Sequence, residues 1–480
     1  MTNNNSTISF VLDDKIVNID FQNNNQYTPT TTVLEYLRNL PNHKGVKEGC
    51  AEGDCGACTV VIAQLNNYKQ LSYKAVNSCI IFLPQLHGKQ LITVENLGNS
   101  NTLHPVQTAM VTNDASQCGY CTPGVVMSLF ALYKNINNPN KNEIDDALTG
   151  NLCRCTGYRP IIDAASQACA NDGVDKFTKK ENDIISLLET INKQDTISIV
   201  NKKQKYFVPF TIEKALKLKA QYPDAIILNG GTDVALRVTK KHELLPEIID
   251  ISEINELKHI KINDNSIEIG AGLNLEDVKK ACENNFHELS SLLSVFGSKQ
   301  IRNKGTLGGN IGSASPIGDT LPILMALDAS IILISTDKER KIKLRNFITA
   351  YHTTKMEKHE LIKSVEIPKI GKDTIIKSYK ISKRKTLDIS TVSAGFSLNL
   401  DENSTVKDIK LFYGGMAATT KRAEKTENFL IGKKWERKII EQAMPIIFDD
   451  FSPLSDARSS DDGRKLMARN LLLKFYSETT

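Results

Sequence analysis

The chain has 480 residues, of which 40% are hydrophobic, so it can bury several cores, and its length predicts about three or four domains. No window approaches the roughly 20 apolar residues that span a bilayer, and the N-terminus lacks the basic and apolar segments of a secretory signal, so we expect a cytoplasmic protein with no membrane contact. The formal net charge of +5, about −2 over residues 1–170 and about +7 over the remainder, comes without a basic tract, which argues against nucleic-acid binding.

The first segment predicts a small mixed sheet with one helix. Apolar residues alternate over residues 7–21 around Asp13 and Asp14, which is the pattern of a half-buried β-hairpin. An amphipathic segment runs from about Thr32 to Leu40. After a glycine-rich cysteine loop, the run from Thr59 to Leu65 predicts a strand.

Over residues 102–170 the apolar period becomes helical, which predicts a compact helical bundle. Thr122 and Pro123 have the chemistry of an N-cap and a first helical residue, and Pro160 suits the start of a later helix. Residues 171–205 are polar and lysine-rich with one apolar patch, so we expect a linker that can hold a short helix.

From Tyr206 onward, strand-like and helical runs alternate, which predicts an α/β or α+β domain. The strand-like runs are Ala225 to Leu228, Ser266 to Ile269 and Ser330 to Ile334. The helical runs are Thr211 to Gln221, Leu275 to Asn284 and Thr320 to Ala326. After about Lys372, a smaller sheet followed by polar helices is predicted, with strands at Ile375 to Ile381, Val392 to Leu400 and Val406 to Tyr413.

Eight of the ten cysteines form two dense groups, which are Cys50, Cys55, Cys58 and Cys79, then Cys118, Cys121, Cys153 and Cys155. The first group reads Cys-x4-Cys-x2-Cys with one distant cysteine, the spacing that holds a plant-type 2Fe-2S cluster. Interspersed glycines let backbone amides approach the cluster sulfides. A structural zinc site also takes four thiolates but usually pairs two short Cys-x2–4-Cys hairpins, so the spacing favours iron.

The second group combines Cys-x2-Cys with Cys-x-Cys. A Cys-x-Cys pair fits a closed zinc knuckle poorly, so the spacing leaves zinc and an iron–sulfur cluster both open, and proximity to the first group favours a cluster. A reducing cytosol argues against disulfides, and the remaining Cys169 and Cys282 are expected to be buried apolar residues.

Two glycine-rich segments, Asn229–Asp233 and Gly305–Pro316, can cradle a diphosphate without a Walker lysine. Each is a weak signal by itself, because glycine runs are more often plain turns. No Gly-x-Gly-x-x-Gly follows a strand, and neither a P-loop nor a His-Glu-x-x-His motif occurs. There is also no Gly-x-Ser-x-Gly nucleophile motif, so hydrolysis has no support.

Three motifs around the cysteines carry a family resemblance. They run from Gly49 to Val60, from Gln117 to Gly124 and from Gly150 to Pro160. They resemble the two iron–sulfur domains of the xanthine oxidase family of molybdenum hydroxylases. The resemblance implies that both cysteine groups hold 2Fe-2S clusters and that the fold is an α+β multidomain one. The implied domains are a β-grasp ferredoxin-like domain (1–95), a four-helix 2Fe-2S domain (96–170), a linker (171–205), an α+β FAD-binding domain (206–372) and a C-terminal sheet-plus-helices domain (373–480).

The resemblance continues through Asn229–Val234 and Gly305–Asp319, which are similar to the family's flavin-binding segments, and Pro453–Arg458 resembles its closing segment. By position it implies FAD contacts at Ile227, Leu228, Asn229, Gly230, Gly231, Thr232, Asp233, Val234, Phe296, Thr306, Gly309, Asn310, Ser313, Asp319, Ile362 and Lys380. Lys380 and Asp319 are expected to tune the flavin rather than to break bonds, and no residue of this chain is expected to be catalytic. Gln117 matches a glutamine that reaches the pterin cofactor, so we expect it to face a partner.

Two departures from the family pattern bear on the flavin. The flavin loop often reads Gly-Asn-Thr-Glu, whereas this chain has Gly230-Gly231-Thr232-Asp233, which lacks one amide side chain and shortens one carboxylate. The stretch from Lys383 to Ile389 resembles the family's loop near the flavin and NAD site but is less acidic.

The implied function is electron transfer as the iron–sulfur and FAD subunit of an oxidoreductase. Electrons would come from a molybdopterin-binding large subunit that oxidises hypoxanthine and xanthine to urate, and would pass through two 2Fe-2S clusters to FAD and then NAD. The implied assembly is a heterotetramer of two small and two large subunits. The alternatives are the corresponding subunit of another molybdenum hydroxylase, acting on an aldehyde, nicotinate or carbon monoxide, and a non-enzymatic electron-transfer module.

Overall fold

The computed structural model describes residues 5–23, 26–66, 68–99, 101–170, 174–191 and 193–480. The chain divides into two compact units. The first unit comprises Met1–Ile254 and Ser298–Gly305, and the second unit comprises Asn255–Gly297 and Thr306–Thr480.

Helices and strands occur throughout the described residues. The helices, in chain order, are α1 (Val33–Asn39), α2 (Val94–Leu97), α3 (Pro105–Thr112), α4 (Thr122–Asn135), α5 (Lys141–Leu148), α6 (Arg159–Cys169), α7 (Lys176–Lys179), α8 (Glu181–Glu189), α9 (Ile212–Gln221), α10 (Val234–Thr239), α11 (Leu275–Cys282), α12 (His287–Ser294), α13 (Lys299–Arg302), α14 (Leu307–Gly312), α15 (Thr320–Ala326), α16 (Glu424–Leu430), α17 (Arg437–Ala443), α18 (Ile447–Asp450) and α19 (Asp461–Ser477). The strands are β1 (Thr7–Leu12), β2 (Lys15–Asp20), β3 (Thr59–Leu65), β4 (Leu71–Asn77), β5 (Gln90–Ile92), β6 (Ile197–Val200), β7 (Lys205–Val208), β8 (Ile226–Leu228), β9 (Glu247–Asp250), β10 (Ile260–Ile262), β11 (Ser266–Gly270), β12 (Ser330–Ile334), β13 (Glu339–Lys343), β14 (Ile348–Ala350), β15 (Thr353–Thr354), β16 (Leu361–Pro368), β17 (Thr374–Ile381), β18 (Val392–Leu400), β19 (Val406–Gly414) and β20 (Lys421–Arg422).

The first unit begins with a mixed sheet of strand order β2-β1-β5-β3-β4. The parallel pair is β1 with β5, and the other neighbouring strands are antiparallel. The predicted hairpin is confirmed, with Asp13 and Asp14 at φ of 52° and 63° in its turn. Thr32 caps α1 by accepting the Glu35 N–H, and α1 packs its apolar face on the sheet. This is the β-grasp arrangement that the resemblance implied.

The bundle of α3 to α6 shares its core with one face of that sheet. Because side chains alternate across a strand, Val61 and Ala75 belong to the bundle's core, whereas Val60 and Val76 belong to the core under α1. The predicted N-cap at Thr122 is wrong by one residue. Cys121 is the N-cap of α4 because its carbonyl already accepts the first intrahelical N–H, and Pro123 lies in the first turn.

The segment from 171 to 205, predicted to be a linker, holds α7, α8 and β6, while residues 171–173 and 192 lie outside the described residues. Its anchor is Asp175, a buried carboxylate that caps α7. Asp175 lies 3.1 Å from His104 Nε2 and 3.1 Å from Lys134 Nζ, both in the bundle. Burial by itself would raise the pKa of Asp175, but hydrogen bonds with His104 and Thr178 hold that pKa well below its usual range.

A second sheet of the first unit has strand order β6-β7-β9-β8. Strands β7, β9 and β8 are parallel, and β6 joins antiparallel to β7, so the sheet begins at Ile197, inside the predicted linker. The carboxyl ends of parallel strands meet at one edge of a sheet, and the segment Asn229–Asp233 follows β8 at that edge. The predicted strand from Ala225 to Leu228 is therefore confirmed and positions the glycine loop.

The second unit contains an antiparallel sheet of order β10-β11-β16-β12-β13 and a second sheet of order β17-β18-β19-β20. Helices α11, α12, α14 and α15 cover the first sheet, and α16 to α19 cover the second. The strands predicted in these regions are confirmed within one residue at each end. A Cβ at Gly395 would lie 2.3 Å from the Pro322 carbonyl carbon, so α15 lies directly on β18.

Each unit buries extensive clusters of apolar side chains. Cys169 and Cys282 are buried in these clusters, as predicted. Over the residues that the structure describes, no helix has both the length and the apolar character that a membrane crossing requires.

The Asp175 anchor generates a stability prediction. Asp175→Ala should lower the free energy of unfolding by about 3–5 kcal/mol, because it leaves the buried Lys134 ammonium without its carboxylate. Asp145→Ala is the control, because Asp145 pairs with Lys141 on the surface and its loss should cost less than about 1 kcal/mol. Urea unfolding followed by circular dichroism measures both, and equal effects would contradict the role given to Asp175.

The same carboxylate sets a pH dependence. Because its pKa is lower in the folded chain, its contribution is complete at neutral pH and decreases as the pH falls below about 4, the ordinary value for an aspartate. The difference in unfolding free energy between the wild type and Asp175→Ala should therefore be largest at pH 7 and should shrink toward pH 3.

Candidate functional site

The first cysteine group surrounds a tight loop in the first unit. Cys50, Cys55 and Cys58 lie between α1 and β3, and Cys79 lies in a 3-10 turn directly after β4. The Cys50 sulfur accepts backbone N–H groups from Glu52 (3.4 Å), Asp54 (3.2 Å) and Cys55 (3.3 Å). Positive φ angles at Ala51 (55°) and Gly53 (79°) turn the chain so that these N–H groups converge on the sulfur.

The four sulfurs of this group form a connected set. Hydrogen bonds from the Cys55 and Cys79 thiols, helped by backbone N–H groups, hold the pKa of Cys50 far below its ordinary value. The hydrogen bond from Cys79 likewise lowers the pKa of Cys58, and the pKa of Cys79 rises correspondingly. Anionic sulfur is thus favoured at two positions of the loop. Among the described residues, no three or more histidine, cysteine, aspartate or glutamate side chains converge on one point as the ligands of a single metal ion do.

Asn77 lies two residues before Cys79 and pairs across the sheet with Thr59, the neighbour of Cys58. It is buried, and neither of its side-chain amide atoms has a hydrogen-bond partner in the part of the chain that the structure describes. A buried amide without a partner is costly, so this position calls for a polar ligand beside the thiols.

The second cysteine group lies at helix ends of the bundle. Cys118 and Cys121 precede α4, and Cys153 and Cys155 lie between α5 and α6. Its sulfurs contact each other in two pairs, Cys118 with Cys155 and Cys121 with Cys153. The hydrogen bond with Cys118 raises the pKa of Cys155. Burial, and then the hydrogen bond with Cys153, raises the pKa of Cys121 to about 12. The structure therefore brings each half of the motif against the other. Cys118 and Cys155 are exposed, as is Gln117.

The first cysteine loop (residues 48–59) and the second cysteine loop (residues 117–121 and 150–155) contact each other through two hydrogen bonds to backbone carbonyls of the first. The Leu152 N–H donates to the Cys55 carbonyl over 3.0 Å. The Tyr120 hydroxyl, between Cys118 and Cys121, donates to the Glu48 carbonyl just before Cys50. Both groups predicted from spacing are thus assembled, and they are adjacent.

The glycine loop of the first unit lies beside the first cysteine group. A Cβ at Gly231 (φ 83°) would lie 3.4 Å from the carbonyl oxygen of Ile80, the residue after Cys79. Gln85, from the turn that follows, donates its amide to the Asn229 carbonyl over 2.9 Å. A Cβ at Gly230 would lie 2.1 Å from the Lys304 carbonyl oxygen, so only glycine fits there. Ile227 and Leu228 belong to β8, and Val234 begins α10 after Thr232 and Asp233.

Asp250 was not identified from the sequence, although it ends β9 opposite Leu228 at the same edge of the sheet. Its carboxylate is fully buried, accepts the Tyr206 hydroxyl over 2.7 Å and accepts the Ser252 N–H over 2.9 Å. Burial raises the pKa of Asp250. Asp250 directly follows the apolar pair Ile248 and Ile249, but only the pairing of β9 with β8 places it next to the glycine loop.

In the second unit, Thr306 is the N-cap of α14 and accepts the Gly309 N–H over 3.1 Å. Asn310 accepts the Thr320 hydroxyl over 2.6 Å, and the Ser313 carbonyl contacts His352 Nδ1 at 2.6 Å. A Cβ at Gly312 would lie 3.4 Å from the Ile362 side chain, so Ile362 borders the same helix. The second glycine strip is therefore the start of a helix rather than a plain turn.

Three predicted residues of the second unit form one cluster. Lys380 Nζ lies 2.8 Å from Asp319 Oδ2, with both side chains buried, and 6.0 Å from the centre of the Phe296 ring. Lys380 also donates to the Val295 carbonyl, and the Ser390 hydroxyl donates to Asp319 Oδ1 over 2.5 Å. Both oxygens of Asp319 are thus occupied. Sequence reasoning missed Ser390, which lies too far along the chain to be linked to Asp319 by any local pattern.

The predicted flavin residues fall in both units. The residues from Ile227 to Val234 belong to the first unit. The second unit contains Phe296, Thr306, Gly309, Asn310, Ser313, Asp319, Ile362 and Lys380.

Four family descriptions match successive parts of the chain. They are a 2Fe-2S iron-sulfur cluster binding domain (residues 22–83), a further 2Fe-2S binding domain (93–166), the FAD binding domain in molybdopterin dehydrogenase (201–370) and the CO dehydrogenase flavoprotein C-terminal domain (377–479).

Curated relatives include xanthine dehydrogenase from Emericella nidulans, 32% identical over 98% of this chain and 38% of that protein. Xanthine dehydrogenase/oxidase from Gallus gallus is 32% identical over 98% of this chain and 39% of that protein. The chain therefore spans well under half of the length of these relatives.

Solved structures show a related fold. A chain of the carbon monoxide dehydrogenase from Hydrogenophaga pseudoflava matches with a TM-score of 0.54 and 23% identity, over 57% of this chain and 96% of that chain. A chain of quinoline 2-oxidoreductase from Pseudomonas putida 86 matches with a TM-score of 0.52 and 22% identity, over 56% of this chain and 96% of that chain. The chain carries two 2Fe-2S domains, an FAD-binding domain and the matching C-terminal domain in succession, and it is 32% identical to a xanthine dehydrogenase over 98% of its length. It therefore belongs to the xanthine oxidase family of molybdenum hydroxylases and corresponds to the iron–sulfur and FAD part of that family.

Proposed function

We propose that the chain is the electron-transfer part of a xanthine dehydrogenase. It would carry electrons from a molybdopterin-binding partner subunit, which oxidises hypoxanthine and xanthine to urate, by way of two 2Fe-2S clusters and FAD to NAD. One observation carries this proposal. Within the first unit, the Leu152 N–H of the second cysteine loop donates to the Cys55 carbonyl of the first. The turn that carries Cys79 lies against the glycine loop, where the Ile80 carbonyl faces Gly231.

The cysteines divide into two ligand sets. Cys50, Cys55, Cys58 and Cys79 would hold one cluster, and Cys118, Cys121, Cys153 and Cys155 would hold the other. Each set brings four sulfurs into contact with one another and would supply the four thiolates that a 2Fe-2S cluster takes. The N–H groups that converge on Cys50 favour its anionic form, which is the form that binds iron.

When bound, the clusters would supply single-electron transfer, and the flavin would supply both single-electron and hydride transfer. The residues of the chain would position the FAD and set the charge around it. In the first unit, the loop of Gly230 and Gly231 would present backbone N–H groups to the FAD diphosphate. In the second unit, the buried Lys380 ammonium would stabilise negative charge on the flavin, with Asp319 and Ser390 fixing its place. The remaining proposed FAD contacts are those implied by the family pattern at Phe296, Thr306, Gly309, Asn310, Ser313 and Ile362.

A separate molybdopterin chain is part of the proposal. The matched chains of carbon monoxide dehydrogenase and quinoline 2-oxidoreductase are covered to 96%, so those chains contain little besides the matched part. The curated xanthine dehydrogenases are much longer single chains. We propose the divided arrangement, as a heterotetramer of two small and two large subunits in the cytoplasm, with Gln117 facing the partner. The proposed domains of this chain are 1–95, 96–170, 206–372 and 373–480, and the linker 171–205 lies between the second and the third.

Xanthine is favoured over other substrates by the degree of similarity. The curated relatives at 32% identity are xanthine dehydrogenases, whereas the carbon monoxide and quinoline enzymes match at 22 to 23% and share the fold. The substrate pocket itself would lie in the partner.

Anaerobic titration of the purified chain with NADH tests the proposal. Absorbance of flavin and clusters should bleach together, because electrons supplied to FAD reach both clusters through the touching loops. Co-purification with the molybdopterin subunit, followed by hypoxanthine in place of NADH, tests the opposite direction. A purified chain that contains zinc and no flavin absorbance would overturn the proposal.

The cluster assignment predicts a change in iron content. Cys58→Ser should lower iron from about four to about two atoms per chain, because one cluster loses a buried ligand. Cys169→Ser is the matched control, since Cys169 is equally buried but stands outside both groups, and its iron content should be unchanged. Iron and acid-labile sulfide assays measure this, and full iron in Cys58→Ser would argue against the assignment.

The glycine loop predicts a change in flavin content. Gly230→Ala should reduce bound FAD by at least tenfold at a fixed FAD concentration, corresponding to about 1.4 kcal/mol, because a Cβ there collides with the Lys304 carbonyl and displaces the loop. Gly371→Ala is the control, because the nearest atom to its Cβ would be 3.6 Å away. Retention of FAD by both variants at the wild-type level would remove the loop from the flavin site.

Loss of the Lys380 ammonium should slow the flavin reaction and leave reduction of the clusters unchanged. Lys380→Ala should slow NADH formation about tenfold or more, since the ammonium near the flavin is lost, while chemical reduction of the clusters stays normal. Lys377→Ala, on the same strand and paired with Glu288, serves as the control. Stopped-flow absorbance separates the two steps, and unchanged turnover with full FAD content would refute the role.

A further inference from the structure

Asn151 lies two residues before Cys153 and is buried at the junction of the two cysteine loops. Its side-chain Nδ2 donates to the Gly56 carbonyl over 3.2 Å and to the Thr59 hydroxyl over 3.2 Å. Gly56 directly follows Cys55, and Thr59 directly follows Cys58. The side chain of a residue in the second loop is therefore hydrogen-bonded inside the first.

The side-chain oxygen of Asn151 accepts hydrogen bonds from two helices. Asn151 Oδ1 accepts the Ser128 hydroxyl, from α4, over 2.6 Å and the Gln300 amide, from α13, over 3.0 Å. A carboxamide has two N–H donors and two acceptor lone pairs, so all four positions of Asn151 are used. This side chain cannot rotate or shift without losing several hydrogen bonds at once.

The backbones around Asn151 leave no space for another arrangement. A Cβ at Gly56 would lie 2.0 Å from the Gly150 carbonyl oxygen, and a Cβ at Gly124 would lie 2.1 Å from the Gly56 carbonyl oxygen. The Leu152 N–H to the Cys55 carbonyl adds a backbone hydrogen bond one residue along. The separation of the two loops is thus fixed at one point, and Asn151 occupies that point.

We propose that Asn151 is a positioning residue that holds the two cysteine loops at a fixed separation and so sets the electronic coupling between the groups that they bind. The inference rests on the proposed function, because it requires a cluster in each loop. It assigns to Asn151, supported by Ser128 and Gln300, a role in the passage of electrons that is distinct from binding iron.

Asn151→Leu tests the inference, because leucine has a similar size but cannot hydrogen-bond to either loop. Ser128→Ala is a milder second variant that removes one donor to Asn151 Oδ1 and keeps the fold accessible if the leucine variant does not fold. Asn135→Leu is the matched control. Asn135 also joins the bundle to the sheet, but its side-chain amide donates to the Tyr73 and Ala131 carbonyls, which lie outside both cysteine loops.

The readout is electron paramagnetic resonance of the fully reduced chain, together with iron and sulfide content. Magnetic dipolar coupling between two reduced clusters depends steeply on their separation and orientation. We expect the Asn151 and Ser128 variants to retain wild-type iron and to show an altered or lost dipolar splitting, in that order of severity, while Asn135→Leu keeps the wild-type splitting.

Wild-type splitting in iron-replete Asn151→Leu, or in Ser128→Ala where the leucine variant does not fold, would overturn this inference and leave the proposed function intact. A wild-type chain that holds no iron would overturn both, so the two failures are distinguishable. An effect of Asn135→Leu as large as that of Asn151→Leu would also count against the inference, because it would assign the change to general loosening of the bundle.

Discussion

The carbonyl group of Gly56 is the constraint on which the iron–sulfur part depends. It accepts the Thr59 N–H over 3.0 Å and the Thr59 hydroxyl over 2.7 Å within its own loop, and the Asn151 amide from the other loop. It also lies against Gly124 of α4. One carbonyl therefore closes the turn between Cys55 and Cys58, receives the second cysteine loop and limits how closely the bundle approaches. A β-grasp fold and a helical bundle, two unrelated architectures, meet there.

Contacts between segments that are distant in the chain also connect the first cysteine group to the glycine loop, Asn229–Asp233. Cys79 lies in a short turn because β4 ends at Asn77, and the residue after Cys79 carries the carbonyl that faces Gly231. The parallel strands β7, β9 and β8 bring the glycine loop to the edge of their sheet. Distance along the chain is large at every one of these contacts. The fold of the first unit thus brings the two cysteine loops and the glycine loop close together, although they are far apart in the sequence.

Much of this architecture could be predicted from the sequence because it is encoded locally. The alternation over residues 7–21, the strand from Thr59 to Leu65 and the helix from Thr320 to Ala326 each carry their own periodicity, and all were confirmed. Cysteine spacing favoured a cluster at the first group for the same reason, because one tight loop contains Cys50, Cys55 and Cys58. The second group joins two segments that are far apart in the chain, and its spacing left zinc and a cluster both open. Glycine runs were ambiguous, since a turn and a helix start require the same small residues.

The residues that were missed act through contacts across the chain. Ser390 reaches Asp319, Gln300 reaches Asn151, and Asp250 is recognisable only once β9 lies beside β8. No local pattern encodes such a pair, because each partner is an ordinary residue in its own segment. The N-cap of α4 differed from the prediction by one residue because the start of a helix is decided by which carbonyl accepts the first bond, and Thr122 and Cys121 are both compatible with a helix start.

The discontinuity of the first unit has a consequence for biosynthesis. Ile301 packs on the core under α1, and Gln300 completes the hydrogen bonds of Asn151, yet both are translated only after residues 255–297 of the second unit. On the ribosome, the iron–sulfur part therefore remains incomplete while the chain that follows it is being made. Metal loading that requires the finished junction has to wait for residue 305, and a fragment cut at the end of the apparent iron–sulfur domains would lack the segment that completes it.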